Sequence, residues 1–138
     1  MATTTYLSQP HSITLGGVDV TDQCSKISFT LGVAPLNSTA FGDAGERSVA
    51  GLQSVDGSLT LYASYGASEV EATLNAEVGQ GDTVIVVTHG AGAIGPANPE
   101  YTLTNVMISD FPTVYEVGNL QMYEVSFKGG TWARDITP

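Results

Sequence analysis

The stretch AFGDAGERSVAGL (residues 40–52) is a glycine-rich segment that separates two clear strand patterns. Ser25 to Leu31 and Ser58 to Ser64 both alternate apolar and polar residues, as half-buried strands do. The residues between them, 32–57, are therefore predicted to form a long inter-strand loop. Hairpin loops usually take about two to five residues, and unstructured connections beyond ~12–15 residues tend to be functional or disordered. This segment is the first place to look for function.

The predicted loop is rich in apolar residues. It contains Val33, Leu36, Phe41, Val49 and Leu52, and leaving apolar area in water costs roughly 25 cal/mol per Å². A neighbouring copy of the chain would cover these side chains. The composition therefore predicts self-assembly through the loop, and packing of the loop on itself is the alternative.

Turn signals and alternating segments predict a mainly β fold. Two-residue turns are expected at Gly16-Gly17 and at Gly118-Asn119, where the second turn follows a strand predicted at Thr113 to Val117. Val84 to Val87 has the β-branched composition of a central strand. Together the elements predict a small β-sandwich or partly closed barrel of about seven strands with one flanking α-helix.

One segment has the pattern of a helix. The Ser68 hydroxyl can cap the first turn, and Glu71 three residues later completes a capping box. Val70, Leu74 and Val78 then recur on one face. We expect this face to pack on the sheet, and a partner-binding helix is the less favoured interpretation.

A length of 138 residues suits one domain with one core. We take the whole chain, 1–138, as that domain because no linker divides it. Gly129-Gly130 ends the last predicted strand, and the tail 129–138 is expected to be a C-terminal arm. It contains Trp132, the only tryptophan of the chain, which predicts that the arm packs on another surface.

Fourteen acidic residues face four basic ones, which gives a formal net charge of −10 and a sequence pI near 4.1. This balance opposes nucleic-acid binding, because phosphate recognition depends on clustered Lys and Arg. An acidic surface would instead repel DNA. Solubility is the simpler explanation of the charge.

The chain has no apolar run near ~18 residues, so no membrane span is expected. Its first residues, Met1 to Ser8, lack the basic start and apolar middle of a secretory signal. Cys24 is the only cysteine, so no internal disulfide can form. These features predict a protein that is made and assembled in the cytoplasm.

Catalytic and metal sites find little support in the sequence. His11 and His89 are the only imidazoles, and neither stands in a nucleophile or phosphate-loop motif. One cysteine and two histidines distant in sequence cannot complete a closed zinc site. Glu69 and Glu71 have the placement of a charged first helical turn. No enzyme activity, catalytic residue, metal ligand or cofactor-binding residue is therefore expected.

Several segments share their order with a known family. They are the turn leading to Val18-Asp19-Val20-Thr21-Asp22, the phrase Thr39-Ala40-Phe41-Gly42-Asp43, then Arg47 and Gly51-Leu52, and a last strand ending in Gly129-Gly130. This order resembles the tail tube (major tail) proteins of bacteriophages with long non-contractile tails, particularly the compact ones of actinobacterial phages. The likeness covers nearly the whole chain, and it depends on the order and spacing of the motifs together.

The resemblance implies a structural protein of the virion tail. Such subunits close into six-membered rings, and the rings stack into a hollow tube through which DNA passes without specific binding. The implied partners are further copies of the chain, a tape-measure protein, a tail terminator and distal tail proteins, with no cofactor and no membrane. Acidic groups facing the lumen would repel DNA, but which of them face inward is left open.

The resemblance also implies that the long loop contacts the next ring. Phe41, Val49 and Leu52 are the candidate stacking contacts, and Arg47 is the candidate for an inter-subunit salt bridge. The full set of candidate ring-stacking or inter-subunit residues is Phe41, Asp43, Arg47, Val49, Leu52 and Trp132. Local loop packing remains the alternative for each.

Two other classes of function stay open. A tail terminator, a baseplate ring component or a decoration protein can share the same sandwich, and a terminator stops at one ring whereas a tube protein polymerises. A glycan-binding or adhesion sandwich would group exposed aromatic residues on one face. The tyrosines that bear on this are spread over different predicted elements: Tyr62, Tyr65, Tyr101, Tyr115 and Tyr123.

Overall fold

The computed structural model describes residues 10–110, 112 and 115–137. Its eight strands form one antiparallel sheet in the order β2-β1-β5-β6-β7-β4-β3, and β8 pairs with β6 off this path. The elements are β1 (Ser12–Leu15), β2 (Val18–Asp19), a 3-10 turn (Thr21–Gln23), β3 (Cys24–Asn37), β4 (Ser48–Tyr62), α1 (Val70–Glu77), β5 (Thr83–Thr88), β6 (Glu100–Asp110), β7 (Met122–Lys128) and β8 (Thr131–Asp135).

Strand β6 divides the sheet into two halves. Its first part pairs with β5 and, from Glu100 to Thr104, with β8, whereas its last part pairs with β7. Asn105, at the change of partners, has a positive φ of 59°. Phe29 of β3 and Tyr101 of β6 bring the halves together, with ring centroids 5.9 Å apart. The sheet therefore bends over a shared interior and stays open at its ends.

A single hydrophobic core fills this interior. Leu15 and Ile85 from one half and Leu59 and Val125 from the other belong to the same cluster of fully buried side chains. Each is flanked in its strand by less buried positions, and β5, which has no exposed position, matches the central strand predicted at Val84 to Val87. The predicted fold class, mainly β with one helix, is confirmed, with eight strands where about seven were expected.

The β3–β4 hairpin corrects the predicted loop. Residues 32–37 and 48–57 are strand, so the connection shrinks to residues 38–47. The prediction was wrong because glycine and proline are typical of loops, whereas this hairpin accommodates both residues within its strands. Pro35 is tolerated because β3 stands at the end of the strand order and the pairing with β4 is already interrupted by a register shift beside it. At Gly57, a Cβ would collide with the Ser28 carbonyl, so close strand approach demands glycine there.

The first predicted two-residue turn is confirmed, and the strand predicted before the second turn is wrong. Gly16 and Gly17 have φ angles of 58° and 88°, and they join β1 to β2 as predicted. The strand predicted at Thr113 to Val117 is wrong in its described part, since 115–117 is loop and β7 begins only at Met122. Positions 113 and 114 lie outside the described residues, as do residues 1–9 of the predicted domain.

Helix α1 forms where the sequence places it, with a different cap. Val70 and Leu74 are buried in the core, so the helix packs on the sheet. Ser68 does not cap the helix: it adopts a φ of 63°, and the Val70 N–H donates instead to the Ser64 hydroxyl at 3.0 Å. The Glu71 N–H donates to the Ser64 carbonyl at 3.0 Å. The capping residue is therefore supplied by the segment that follows β4.

The predicted C-terminal arm is mostly a strand. β8 pairs with β6 from Glu100↔Asp135 to Thr104↔Thr131, so the tail lies on its own sheet. Gly129 and Gly130 precede it with φ angles of 87° and 81°. Position 138 lies outside the described residues.

We predict that Gly130→Ala destabilises the protein far more than Gly129→Ala. A Cβ at Gly130 would collide with the Thr104 carbonyl and lie 2.7 Å from the Asn105 carbonyl oxygen, whereas nothing lies within 4 Å of one at Gly129. Gly129→Ala then carries only the left-handed penalty of about 1–2 kcal/mol, and Gly130→Ala should exceed about 3 kcal/mol. Urea unfolding of the two variants measures the difference, and equal losses would contradict the close approach.

We also predict that Ser64→Ala lowers the free energy of unfolding by about 1 kcal/mol, because α1 loses its side-chain cap. The control is Ser68→Ala, which should stay within about 0.5 kcal/mol as an exposed substitution away from any cap. Thermal and urea unfolding test both variants. A larger loss at Ser68 would restore the capping box that the sequence suggested.

Candidate assembly surface

The outer part of the β3–β4 hairpin projects beyond the rest of the sheet. Strand β4 pairs with β7 from Asp56 to Tyr62, so among the described strands its earlier residues pair with β3 alone. We call residues 32–55, including the 38–47 loop, the distal ribbon. Two contacts with the β8 region brace its root: the Gly129 N–H donates to the Val55 carbonyl at 2.7 Å, and the Trp132 N–H donates to Gln53 Oε1 at 3.4 Å.

A β-bulge changes the ribbon's two faces. The register shifts between Val33 and Pro35, where β4 has one residue more than β3. Gly51 lies in this shift, and a Cβ there would come within 2.9 Å of the Ala34 carbonyl oxygen and 3.2 Å of Leu36 Cγ. The bulge therefore needs glycine, and the Leu36 side chain lies over it.

The bulge brings three apolar side chains onto one face. Leu31 and Val55 are cross-strand partners that face the core. Alternation along β3 puts Leu36 on the opposite face from Leu31, and its partner Val49 lies beside it. Leu52, three residues before Val55, faces the same outer side. Leu36 and Val49 are 53% exposed and Leu52 is 86% exposed, so this outer face is apolar and uncovered.

The loop at the tip is held by its own hydrogen bonds. The Arg47 N–H donates to Thr39 Oγ1 at 2.9 Å, and the Ser38 N–H donates to the Arg47 carbonyl at 2.8 Å. The Ala40 N–H donates to Asp43 Oδ2 at 2.7 Å. Phe41 takes no part in this packing and is fully exposed. The loop thus has a defined shape that presents an aromatic ring to solvent.

Arg47 and Asp43 form an ion pair within the loop. The Arg47 guanidinium lies 3.4 Å from Asp43 Oδ1, and the Arg47 side chain remains 65% exposed. Pairs this open contribute about 0–1 kcal/mol. The structure therefore brings these two candidate residues together in one copy, and an inter-subunit bridge through Arg47 stays a prediction.

Trp132 lies apart from the other candidate residues. It stands in β8 opposite Leu103 and packs, half-buried, against the chain's own core. Its Nε1 is buried and has no hydrogen-bond partner among the described residues. Its backbone N–H donates to Gln53 Oε1 at 3.4 Å and its ring packs on the core, so it supports the root of the ribbon and does not belong to the apolar face.

A second apolar surface lies at the other end of the sheet and was missed by the sequence analysis. Tyr65, Tyr115, Val117 and Leu120 are all more than half exposed. Leu120 lines an open groove of about 540 Å³ together with Tyr62, Glu116, Gly118, Asn119 and Met122, and Tyr115 and Val117 are the chain neighbours of the lining residue Glu116. We call this the base groove. The available signal was the apolar spacing around Gly118-Asn119, which was assigned to strands.

Two hydrogen bonds of the Tyr65 hydroxyl lie beside the base groove. The Tyr123 hydroxyl donates to the Tyr65 hydroxyl at 3.1 Å, and the Tyr65 hydroxyl donates to Gln121 Oε1 at 2.7 Å. Burial raises the pKa of Tyr123, and the hydrogen bond to Tyr123 lowers the pKa of Tyr65. The two hydrogen bonds join the segment after β4 to Gln121 and to the buried Tyr123.

The tyrosines are also closer in space than their sequence positions suggest. Tyr62 and Tyr65 follow one another at the end of β4, and Tyr115 and Tyr123 flank the loop that meets them. The prediction of dispersed exposed tyrosines therefore fails only for Tyr65 and Tyr115, because Tyr123 is buried in the core and Tyr62 is half-buried. Tyr101 lies apart from this group and packs on Phe29.

Other side chains that could act in catalysis or metal binding form no larger cluster in the described part of the chain. His11 and His89 are neighbours through their backbones, because the His11 backbone N–H donates to the His89 carbonyl at 3.2 Å, although the two residues are distant in sequence. Within the described residues, no three His, Cys, Asp or Glu side chains come close enough to hold a metal ion. Burial raises the pKa of the Cys24 thiol. No described helix is long and apolar enough to cross a membrane.

No protein-family model matches the chain, and no curated protein matches it in sequence. Solved structures do share its fold. A chain from the tube-terminating cap of the anti-feeding prophage has a TM-score of 0.72 at 11% identity, covering 99% of this chain and 95% of that chain. A chain of the SPP1 tail tube has a TM-score of 0.67 at 9% identity, covering 95% and 79%. One from the PVC sheath–tube complex of an extracellular contractile injection system has 0.66 at 10%, covering 95% and 91%.

These similarities establish the fold, which is tail-tube-like. The identities of 9–11% are too low to transfer residues from one chain to another. The distal ribbon and the base groove therefore have to be judged from their own geometry.

We predict that Asp43→Ala loosens the tip loop whereas Arg47→Ala does not. Asp43 Oδ2 satisfies the Ala40 N–H, and losing such a bond costs about 1 kcal/mol, or roughly fivefold faster amide exchange. Hydrogen exchange at the Ala40 amide, followed by NMR, measures this. Asp43→Asn keeps an acceptor and is the control. Equal acceleration by Arg47→Ala would show that the ion pair orders the loop.

Proposed function

We propose that this chain is the structural subunit of a phage-like tail tube, which assembles with further copies of itself into six-membered rings that stack into a hollow conduit for DNA. The observation that carries the proposal is the apolar outer face of the distal ribbon with Phe41 at its tip. The fold supports it, because it is shared with proteins described as a tail tube, a sheath–tube complex and a tube-terminating cap.

The exposed apolar residues argue for a partner at the ribbon. Monomeric proteins rarely leave a contiguous apolar patch of more than a few hundred Å² in water, and larger ones mark interaction sites. Phe41 is fully exposed and Leu52 is 86% exposed, on a segment whose backbone is well bonded. Self-packing of the segment, the alternative from the sequence, would have buried these side chains. A contact between copies buries them and leaves the ribbon's backbone unchanged.

The charge of the chain fits a conduit. A formal charge of −10 per copy would be repeated around each ring, and acidic groups facing the lumen would repel the phosphates of passing DNA. The outer face of β4 and β7 has polar residues at most positions, including Asp56 and Glu124. The residues that face the lumen are left unassigned.

The proposed context is the virion tail, with assembly in the host cytoplasm. The expected partners are a tape-measure protein, a tail terminator and distal tail proteins, and the proposal requires no catalytic residue, metal, cofactor or membrane. A terminator or cap is the nearest alternative, since one of the similar structures belongs to a tube-terminating cap. The finer resemblance to actinobacterial phages remains a prediction from the sequence motifs.

A glycan-binding or adhesion role is the second candidate, and one observation favours it. Tyr62 lines the base groove, and the exposed side chains of Tyr65 and Tyr115 interact with each other next to it. Binding to a glycan array that is lost in Tyr115→Ala would support this role. The absence of any glycan signal would leave assembly as the function of this surface.

We predict that the purified chain, once concentrated, forms hollow tubes or rings in negative-stain electron microscopy, and that Phe41→Asp abolishes them. The substitution places a charge where an apolar contact is expected, while Phe41 contributes nothing to the core, so circular dichroism and unfolding should stay unchanged. Ala44→Asp is the matched control, because it adds the same charge to the same loop without removing an apolar side chain. Normal assembly by Phe41→Asp, or a persistent wild-type monomer, would contradict the proposal.

A further inference from the structure

The distal ribbon and the base groove lie at opposite ends of the molecule. Strand β4 begins beside the tip loop at Ser48 and ends at Tyr62, which lines the groove. Its fifteen residues span roughly 45–50 Å at about 3.3 Å per residue. The two surfaces therefore cannot meet within one copy, although each leaves apolar side chains exposed.

We infer that the distal ribbon of one copy docks in the base groove of the next copy, head to tail. This inference rests on the proposed function, because it names the surface that receives the ribbon when rings stack. It adds residues 115–121 and Tyr65 to the assembly surface, none of which the sequence marked as a contact.

The shapes of the two surfaces are complementary. Phe41 stands fully exposed at the tip, and the base groove has a volume of about 540 Å³ between Tyr62, Leu120 and Met122. An aromatic side chain buries about 150–250 Å² when it enters such a site. Both partners also have backbone or loop hydrogen bonds of their own: the Ala40 N–H donates to Asp43 in the tip loop, and in the groove loop the Asn119 N–H donates to the Glu116 carbonyl and the Gln121 carbonyl accepts from the Ala63 N–H. Docking therefore orders little that is loose beforehand.

One pair of charges favours this partner. Arg47 is the only basic residue in residues 32–57, and Glu116 is the only acidic residue in residues 115–121. Arg47 can leave Asp43 at little cost, because their pair is exposed and Asp43 keeps its bond to the Ala40 N–H. The ribbon also contains Asp43 and Glu46, so the net charges of the two surfaces are both negative and only the Arg47–Glu116 pair is attractive.

The size of the contact explains why it would act in a ring. Each surface offers about four exposed apolar side chains, less than the ~800 Å² per partner of a typical stable pairwise interface. A single docking is therefore weak. Several equivalent dockings between two rings act together, because each raises the effective concentration of the next. Unlike surfaces at two ends also give a contact that repeats without limit.

Crosslinking tests the inference without requiring tubes. In a Cys24→Ser background, Ala44→Cys marks the tip and Asn119→Cys marks the groove; both positions are exposed and neither belongs to the apolar set. A short bis-maleimide should join copies into a ladder of dimers, trimers and longer chains. The control pair is Ala44→Cys with Ala91→Cys, because Ala91 precedes β6 at the end of the molecule away from the groove.

The expected result is at least about tenfold more ladder from the 44/119 pair than from the 44/91 pair, since docking creates a local concentration near the millimolar range. Leu120→Asp in the groove should remove the ladder. Arg47→Glu and Glu116→Arg should each reduce it, and their combination should restore it. Equal ladders from the two pairs would overturn the inference. Crosslinked dimers of the variant that has only Ala44→Cys would also overturn it, because they would show that the tips of two copies contact each other.

The same variants separate this inference from the proposed function. Wild-type tubes with no excess ladder from the 44/119 pair would keep the tube function and reject the groove as the receiving surface. A groove-dependent ladder without rings or tubes would keep the head-to-tail contact and reject the tube. A glycan that blocks the ladder at the groove would show competition for the surface, and it would support the contact only if the ladder forms in its absence.

Discussion

Strands β3 and β4 are paired from Cys24 and Leu61 at one end to Asn37 and Ser48 at the other. The inner part of this pairing has the core on one side, and the outer part has solvent on both. The backbone hydrogen bonds of a two-stranded ribbon are satisfied within it wherever the strands face each other, so the outer part keeps its shape without a core. The hairpin therefore links the folding of the chain to the presentation of an exposed surface, and the position and direction of the ribbon depend on it.

The sequence predicted the elements whose pattern is local. Ile27, Phe29 and Leu31 alternate as expected, and Gly16-Gly17 forms the expected turn, because both depend only on neighbouring residues. The length of the hairpin was hidden by glycines at positions where two strands approach closely, such as Gly57. A strand that contains glycine and a glycine-containing loop look alike in sequence composition, and only the cross-strand partner distinguishes them. The capping of α1 by Ser64 was missed because the cap lies six residues before the N–H that it binds.

The candidate assembly surface was likewise predicted only in part from the sequence. Apolar residues in a glycine-rich segment indicated the ribbon, and the structure leaves Phe41 and Leu52 exposed. The face that Leu52 shares with Leu36 and Val49 depends on the bulge at Gly51, which changes the alternation by one residue and leaves no sequence signature of its own. The base groove depends on the register of β4 with β7, which brings Tyr62 beside Met122. Such long-range pairing sets which distant residues become neighbours, and periodicity carries no information about it.

The separation of the two exposed surfaces along β4 has a consequence for any structure built by joining them. A stack of such subunits is a polar filament: one terminus always displays free ribbons and the other always displays free grooves. Growth can then proceed at the two termini with different rates, and a protein that offers only one of the two surfaces can seal one terminus while leaving the other open. Length and orientation would be controlled by separate factors, each recognising a different part of the same polypeptide.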